Sequence, residues 1–386
     1  MHSLTVFFLA TILALALTPA SQSQKKSPPK EKEGCGTVVP LGQFEAELAS
    51  RAESASKNIA PTVIAPPTQA PYYLPLTIHM VRGSSGNQPG LSSEQLGKTL
   101  QYLNQMWKQV GIQFFIYGDV DADILNDAFF NLPDTEFSRK ALRNVNNVPN
   151  TINVYLTNLL GNFAGYGSFT TDNTQGILLN YQTFINPTDN RGLELLAHEM
   201  GHYFDLYHTH ETKFGVECPS GNNGSTAGDL LRDTPADPGL IDYDRRTYRV
   251  DANCVYNNSA ATPANCDTTP YKPPTRNLMS YSRGVCLTEF TSLQISKILD
   301  TLQNKGNRKN LINSKTRYVD RLASDSNTSC AYRVPCRTLE KALQAANNGD
   351  FIFLKQGTYP ASSISGKRLT LNRWGWEPNT GVLLVP

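Results

Sequence analysis

The stretch Leu195-Leu196-Ala197-His198-Glu199-Met200-Gly201-His202-Tyr203-Phe204-Asp205-Leu206-Tyr207-His208 decides how the rest of the chain is read. His198 and His202 stand four apart, so on an α-helix their imidazoles leave one face a turn apart and can share a metal ion. Glu199 lies between them and points to the side, where a carboxylate takes a proton from a metal-bound water without filling a coordination position. His208 comes six residues after His202, too far along to share that face if the helix ran on, so the chain must turn first. Three protein ligands plus one open position is the arrangement of a catalytic zinc rather than a structural one. Of the other histidines, His79 falls in an apolar strand and reads as an ordinary core residue, while His210 competes with His208 for the third place.

The pattern His198-Glu199-x-x-His202-x-x-Asp205-x-x-His208 resembles the metzincin zinc-peptidase signature, with Asp205 where glycine is usual. Glycine serves there because the helix ends in a left-handed residue, and Asp tolerates that conformation better than most side chains do. Asn277-Leu278-Met279-Ser280-Tyr281 is similar to the Met-containing turn of metzincins. The run Gly228-Asp229-Leu230-Leu231-Arg232-Asp233-Thr234-Pro235, followed by that turn and then Cys286 and Phe290-Thr291, most resembles the pappalysin family. The resemblance covers residues 72 to 312.

What the resemblance implies is specific. The fold is an α/β (α+β) metzincin-like catalytic domain: a mixed twisted sheet with an edge strand over the cleft, a zinc-binding helix, an irregular lower subdomain with the Met-turn at Met279, and a C-terminal helix. The edge strand, Ala164 to Thr170, pairs with a peptide or protein substrate held extended. The family spacing favours His208 over His210. Tyr281 corresponds to a Met-turn tyrosine that steadies the oxyanion, though a core tyrosine with a satisfied hydroxyl would also sit there. Asp229, Asp233 and Thr234, with Asp237 as a further candidate, match a run that helps bind calcium in relatives; ordinary Asx turns are the competing account. Cys254 and Cys286 are the pair most like the family's disulfide. Cys35, flanked by Gly34 and Gly36, corresponds to a prosegment thiolate that blocks the zinc and holds the enzyme latent, or else it is disulfide-bonded.

Length and composition add outer bounds. The 386 residues suffice for two or three units, and a net charge of +2 with 18% charged residues gives no reason to expect nucleic acid as a partner. The apolar run Leu4 to Leu17, ending in Thr18-Pro19-Ala20, reads as a secretory signal peptide over residues 1–20, and no later segment is apolar enough to span a membrane. An extracellular or periplasmic location follows, and with it disulfides. Residues 21–71 read as a spacer and prosegment, with a helix from Gln43 to Ser56 and a proline-rich linker to Pro71. Strands are expected at Leu76–Val81, Ile112–Tyr117, Thr151–Leu156 and Gly176–Asn180, and helices from Ser92 or Ser93 to Val110 and from Ser292 to Leu302. Seven cysteines cannot all pair: Cys330 and Cys336 are placed to close a small loop, and Cys218 is left to pair with Cys266 or Cys35.

Residues 318–386 form a different unit. The helical Thr338–Ala346 and the strands that follow resemble the cap and first coil of a pectin-lyase-type parallel β-helix, cut short after one rung. A solenoid needs about three repeats to bury its core, so this piece is expected to be a truncated or frayed accessory. The reading as a whole is a secreted zinc endopeptidase in which a zinc-bound water attacks the peptide and Glu199 is the general base. Two other readings stand beside it: a catalytically silent zinc-containing binding protein, and a polysaccharide-binding protein acting through the C-terminal module.

Overall fold

The computed structural model describes residues 33–57, 63–68, 70–87, 91–118, 124–161, 163–185, 191–242, 247–257, 260–360, 367–375 and 382–385. The expected signal peptide lies outside them. The first half of the described chain comprises β1 (Glu33–Cys35), α1 (Leu41–Ser56), β2 (Tyr72–Arg82), α2 (Ser93–Trp107), β3 (Ile112–Ile116), β4 (Ile124–Leu125), α3 (Asp127–Phe130), β5 (Asn131–Leu132), α4 (Glu136–Arg143), β6 (Ile152–Leu159), β7 (Phe163–Gly167), β8 (Ile177–Asn180), α5 (Gln182–Ile185) and α6 (Arg191–Tyr203). The sheet runs in the order β1-β7-β8-β6-β2-β3, with β4 beside the end of β2 and β5 beside the end of β6. Every pairing is parallel except β7 with β8, so the sheet is mixed.

Strand β2 is buried from Tyr72 to Val81, as a central parallel strand covered on both faces must be. It starts at Tyr72 rather than Leu76, because Pro75 hides the pattern. Between Tyr72 and Pro75 its partner among the described residues is β3, and β6 joins at Leu76, so the missing proline N–H forfeits no ladder bond to β6. Helix α2 opens with a capping box in which Ser92 and Gln95 satisfy each other's backbone amides. Its last residue, Trp107, is fully buried between Phe114 and Phe290, with ring centroids 5.5 and 5.3 Å away, and its indole N–H donates to Ala197 O at 3.3 Å. That bond ties α2 directly to α6, the helix that carries the histidines.

From Phe204 to Thr291 the chain is irregular, with one small hairpin between β9 (Ile241–Asp242) and β10 (Thr247–Tyr248). Disulfides Cys218–Cys266 and Cys254–Cys286, spanning 48 and 32 residues, brace it. Chain entropy gives each crosslink about 4 kcal/mol. Helix α7 (Ser292–Asn304) closes this half, capped by Thr291 and Gln294 in a second capping box.

The C-terminal part contains β11 (Thr316–Val319), α8 (Leu339–Ala345), β12 (Phe351–Leu354), β13 (Gly357–Pro360), β14 (Thr370–Arg373) and β15 (Val382–Val385). β12 lies between β11 and β14, β13 pairs with β15, and all of these pairings are parallel. The expectation of a frayed accessory is corrected by the packing. Phe353 stacks on Tyr73 at 3.8 Å, Phe351 lies 4.2 Å from Phe115, and Tyr332 donates to Ala70 O at 2.6 Å. The short coil covers its apolar side with side chains of β2 and β3. Cys330–Cys336 closes its small loop.

Candidate metal centre

Helix α6 places His198 and His202 one turn apart, their ring centroids separated by 4.9 Å. The helix ends at Tyr203, and Asp205 takes φ +63, the left-handed conformation anticipated for that position. The chain reverses there and brings His208 back, with ring centroids 4.5 Å from His202 and 5.2 Å from His198. His198 Nδ1 is 2.6 Å from Leu278 O and His202 Nδ1 is 2.8 Å from Leu206 O. A carbonyl can only accept, so each Nδ1 carries the proton and each Nε2 keeps its lone pair. Burial pushes all three imidazoles below the usual range, His198 to about 4, so they are neutral at physiological pH.

The Nε2 atoms are aimed at one another. His202 Nε2 lies 3.0 Å from His208 Nε2, and His198 Nε2 is buried with no hydrogen-bond partner. Cys35 joins them: the ligand atoms of Cys35, His198, His202 and His208 all lie within 4.8 Å of one another. The His198 Nε2 lone pair, buried without a donor, is costly unless a cation meets it. Three neutral imidazoles and one sulfur suit zinc. Among the described residues this is the one such group. His210 stays outside it, stacked on His208 at 4.9 Å, and His79 is satisfied by Asn153 Oδ1 at 2.8 Å within the sheet.

Glu199 is fully buried beside this cluster, and burial raises its carboxyl to about 8. Its Oε2 accepts from Thr37 Oγ1 at 3.0 Å, while Oε1 has no hydrogen-bond partner. β7 runs hard against α6 because Gly167 has no side chain: a Cβ there would lie 2.6 Å from Glu199 O and 2.9 Å from His202 Cβ. Gly201 likewise leaves room for the Met279 thioether, into which a Cβ would collide. Tyr281 donates its hydroxyl to the carbonyl of Cys35.

The N-terminal segment fills the cleft. β1 pairs with β7, so the strand expected at the sheet edge is covered; β7 also stops at Gly167, short of the Thr170 anticipated. Gly36 N donates to Gly165 O at 2.9 Å, and Thr37 Oγ1 accepts from Gly167 N at 2.8 Å. Cys35 is free and buried, which settles Cys218 on Cys266, and burial holds its thiol well above the usual range. Helix α1 then docks by Gln43 Nε2 to Tyr207 OH at 3.1 Å and by Glu47, which sits between Lys297 at 3.3 Å and Arg51 at 2.9 Å.

The expected calcium run divides. Asp233 is spent on α7, accepting from Thr291 Oγ1 at 2.9 Å and Leu293 N at 2.8 Å, so it is withdrawn from the ligand set. Asp237 accepts from Thr209, Ser280 and Gly239. By contrast Asp229 Oδ2, Thr234 Oγ1 and both carboxylate oxygens of Glu217 are buried without partners. Burial raises Glu217 to about 7, and Asp229 lies well above its usual range through burial and the neighbouring Glu217. Sequence reading missed Glu217 and Thr37. Glu217 sits in irregular chain with no period to flag it, and Thr37 could have been noticed only as the residue two past Cys35.

The peptidase family M43, described as pregnancy-associated plasma protein-A, matches residues 136–303. An extracellular metalloprotease of Neurospora crassa is 28% identical over 302 residues, 74% of this chain and 93% of the relative. One from Pyricularia oryzae is 25% identical over 308 residues, 76% and 93% of the two chains. Among solved structures, a promirolysin mutant of Tannerella forsythia superposes with a TM-score of 0.49 at 17% identity, over 72% of this chain and 97% of that one.

Proposed function

We propose that the chain is a pappalysin-like member of the metzincins, a secreted zinc endopeptidase made as a latent zymogen, a reading supported by the family match and the extracellular metalloprotease relatives. The observation that carries the proposal is the convergence of three neutral imidazoles, with protons fixed on Nδ1 in two of them, beside a buried carboxylate on the same helix. His198, His202 and His208 hold the zinc. Zinc in that position lowers the pKa of a coordinated water and polarises the scissile carbonyl. Glu199 takes the proton of the attacking water on its carboxylate and returns it to the amine nitrogen that leaves. Tyr281 donates to the developing oxyanion, as it now donates to the Cys35 carbonyl. β7 offers its backbone to the extended substrate once β1 has left.

In the latent form residues 33–57 occupy each of these functions together. Cys35 would take the fourth place at the metal, its carbonyl takes the Tyr281 hydroxyl, and Thr37 engages Glu199 and the Gly167 amide. The strand also runs parallel to β7. Activation therefore requires cleavage in the linker before Tyr72 and release of this segment. Glu217, Asp229 and Thr234 form a calcium site that stiffens the irregular half, supported by their unpartnered buried oxygens. The C-terminal coil, similar in pattern to a β-helix rung, serves as a structural buttress of β2 and β3. Glu199→Gln in the processed enzyme tests the assignment: it keeps one zinc and loses turnover by about a thousandfold or more. Near-normal cleavage by that variant would remove Glu199 from its role.

A further inference from the structure

At the end of α6 the backbone asks only for a left-handed residue, yet the chain supplies a carboxylate. Asp205 is 1% exposed, and both of its oxygens are used on one partner. Oδ1 accepts from Thr170 N at 2.9 Å and Oδ2 from Thr170 Oγ1 at 2.7 Å. Thr170 lies just past β7, the strand that rims the cleft. Arg308, fully buried, makes a second connection across the same junction: Nε donates to Tyr203 O at 2.7 Å, Nη2 donates to Ser168 O at 3.2 Å, and the guanidinium lies 3.4 Å over the Tyr203 ring. Between these two ties Phe169 packs edge-on to His202 and against Tyr207, each at 5.7 Å. The segment that leaves the rim is thus bound at two points to the turn that delivers His208. A glycine at 205 would supply the backbone conformation and none of the bonds to Thr170.

We propose that Asp205 is a positioning residue for substrate: through Thr170 it fixes the rim strand over the histidines, so that a peptide paired along β7 meets Glu199 in register. This rests on the peptidase reading above. β7 packs directly on α6 at Gly167, and the segment that follows it is held to the helix end by these ties, so loosening them shifts the residues paired along the rim. The role acts on long substrates through the strand rather than through the metal ligands, because His208 is packed by His210 and Tyr281 at 4.9 and 4.8 Å, whereas the Asp205 carboxylate is bonded to Thr170.

The test compares Asp205→Gly, which frees the backbone, with Asp205→Asn, which keeps an acceptor for the Thr170 amide. In the full chain stripped of metal by chelator, amide exchange at residues 168–170 is expected to quicken about tenfold or more in the glycine variant, with β2 and β6 unchanged. In the activated enzyme the same variant raises KM for an octapeptide about fivefold or more, with kcat within about threefold and zinc affinity, by chelator competition, within about threefold. Asp205→Asn recovers most of both effects, and adding Thr170→Val to Asp205→Gly costs little more. Unchanged exchange at Thr170 overturns the clasp. A parallel fall of zinc affinity and kcat overturns the positioning role and makes Asp205 a support of the metal site. If the wild-type chain cleaves nothing, the peptidase reading fails and the substrate role with it, while the exchange data still decide whether the clasp exists.

Discussion

Replacing Glu47 by Gln keeps the shape of the α1 contact and removes its charge, so it isolates what electrostatics contributes to latency. Burial alone would raise the Glu47 carboxyl, but Lys297 and Arg51 hold it down at about 2. The gap from the ordinary 4.5 to about 2 corresponds to roughly 3 kcal/mol at most. Arg51 lies one turn along the same helix and stays with Glu47 when α1 leaves, whereas Lys297 belongs to α7 and is 11% exposed, so about 1–2 kcal/mol is assigned to the docked helix. That predicts about a five- to thirtyfold rise in the residual peptidase activity of the uncleaved full chain carrying Glu47→Gln, because the prosegment spends more time displaced. The assay is the initial rate on a fluorogenic peptide, with gel analysis to show that no chain has been processed. A carboxyl with a depressed pKa contributes stability above about pH 4.5 and loses it as the pH falls toward 2, so protease sensitivity of α1 should rise across that window in wild type and stay flat in the variant. A residual rate equal to that of wild type would refute the reasoning and leave the cleft contacts of Cys35 and Thr37 as the whole of the lock.

Two other perturbations probe the rest of the structure. Calcium should raise the melting temperature more at pH 8 than at pH 5. The raised carboxyls of Glu217 and Asp229 are protonated in acid and ionised without partners in base, so the metal-free fold loses stability as pH climbs from the ordinary carboxylate range through about 7. An equal gain at both values would count against that site. Phe353→Ala removes a fully buried ring stacked on Tyr73 and should cost about 3 kcal/mol or more in denaturant unfolding of the whole chain. A change under about 1 kcal/mol would mean that the C-terminal coil does not buttress the sheet.

How far the sequence could be read depended on whether the signal was local. The histidine spacing, the left-handed Asp205 and the helix start at Ser92 or Ser93 are each decided within one or two turns of chain, and they were legible. So were β6 and β8, dense in β-formers. The start of β2 was not, because Pro75 is excluded from strands by its missing N–H unless the neighbour on that side is absent, and that absence is a property of the sheet rather than of the strand. Asp233 and Glu217 exchanged places for the same reason. Asp233 caps a helix 58 residues away, and Glu217 gains its neighbours only when the irregular half folds around its disulfides. The tail looked too short to be stable because its covering surface belongs to β2 and β3, far away in sequence. Thr37 acquired meaning only once β1 was laid along β7.

The central claim is that three histidines and Glu199 form a zinc peptidase site closed by residues 33–57. The most direct measurement is peptidase activity on a mixed peptide library, with bound zinc quantified, for the full chain and for chain cleaved before Tyr72. The account predicts one zinc in each, cleavage by the shorter form only, and loss of that cleavage on adding chelator. One zinc in both forms with no cleavage by either would contradict it and leave a metal-binding protein without turnover.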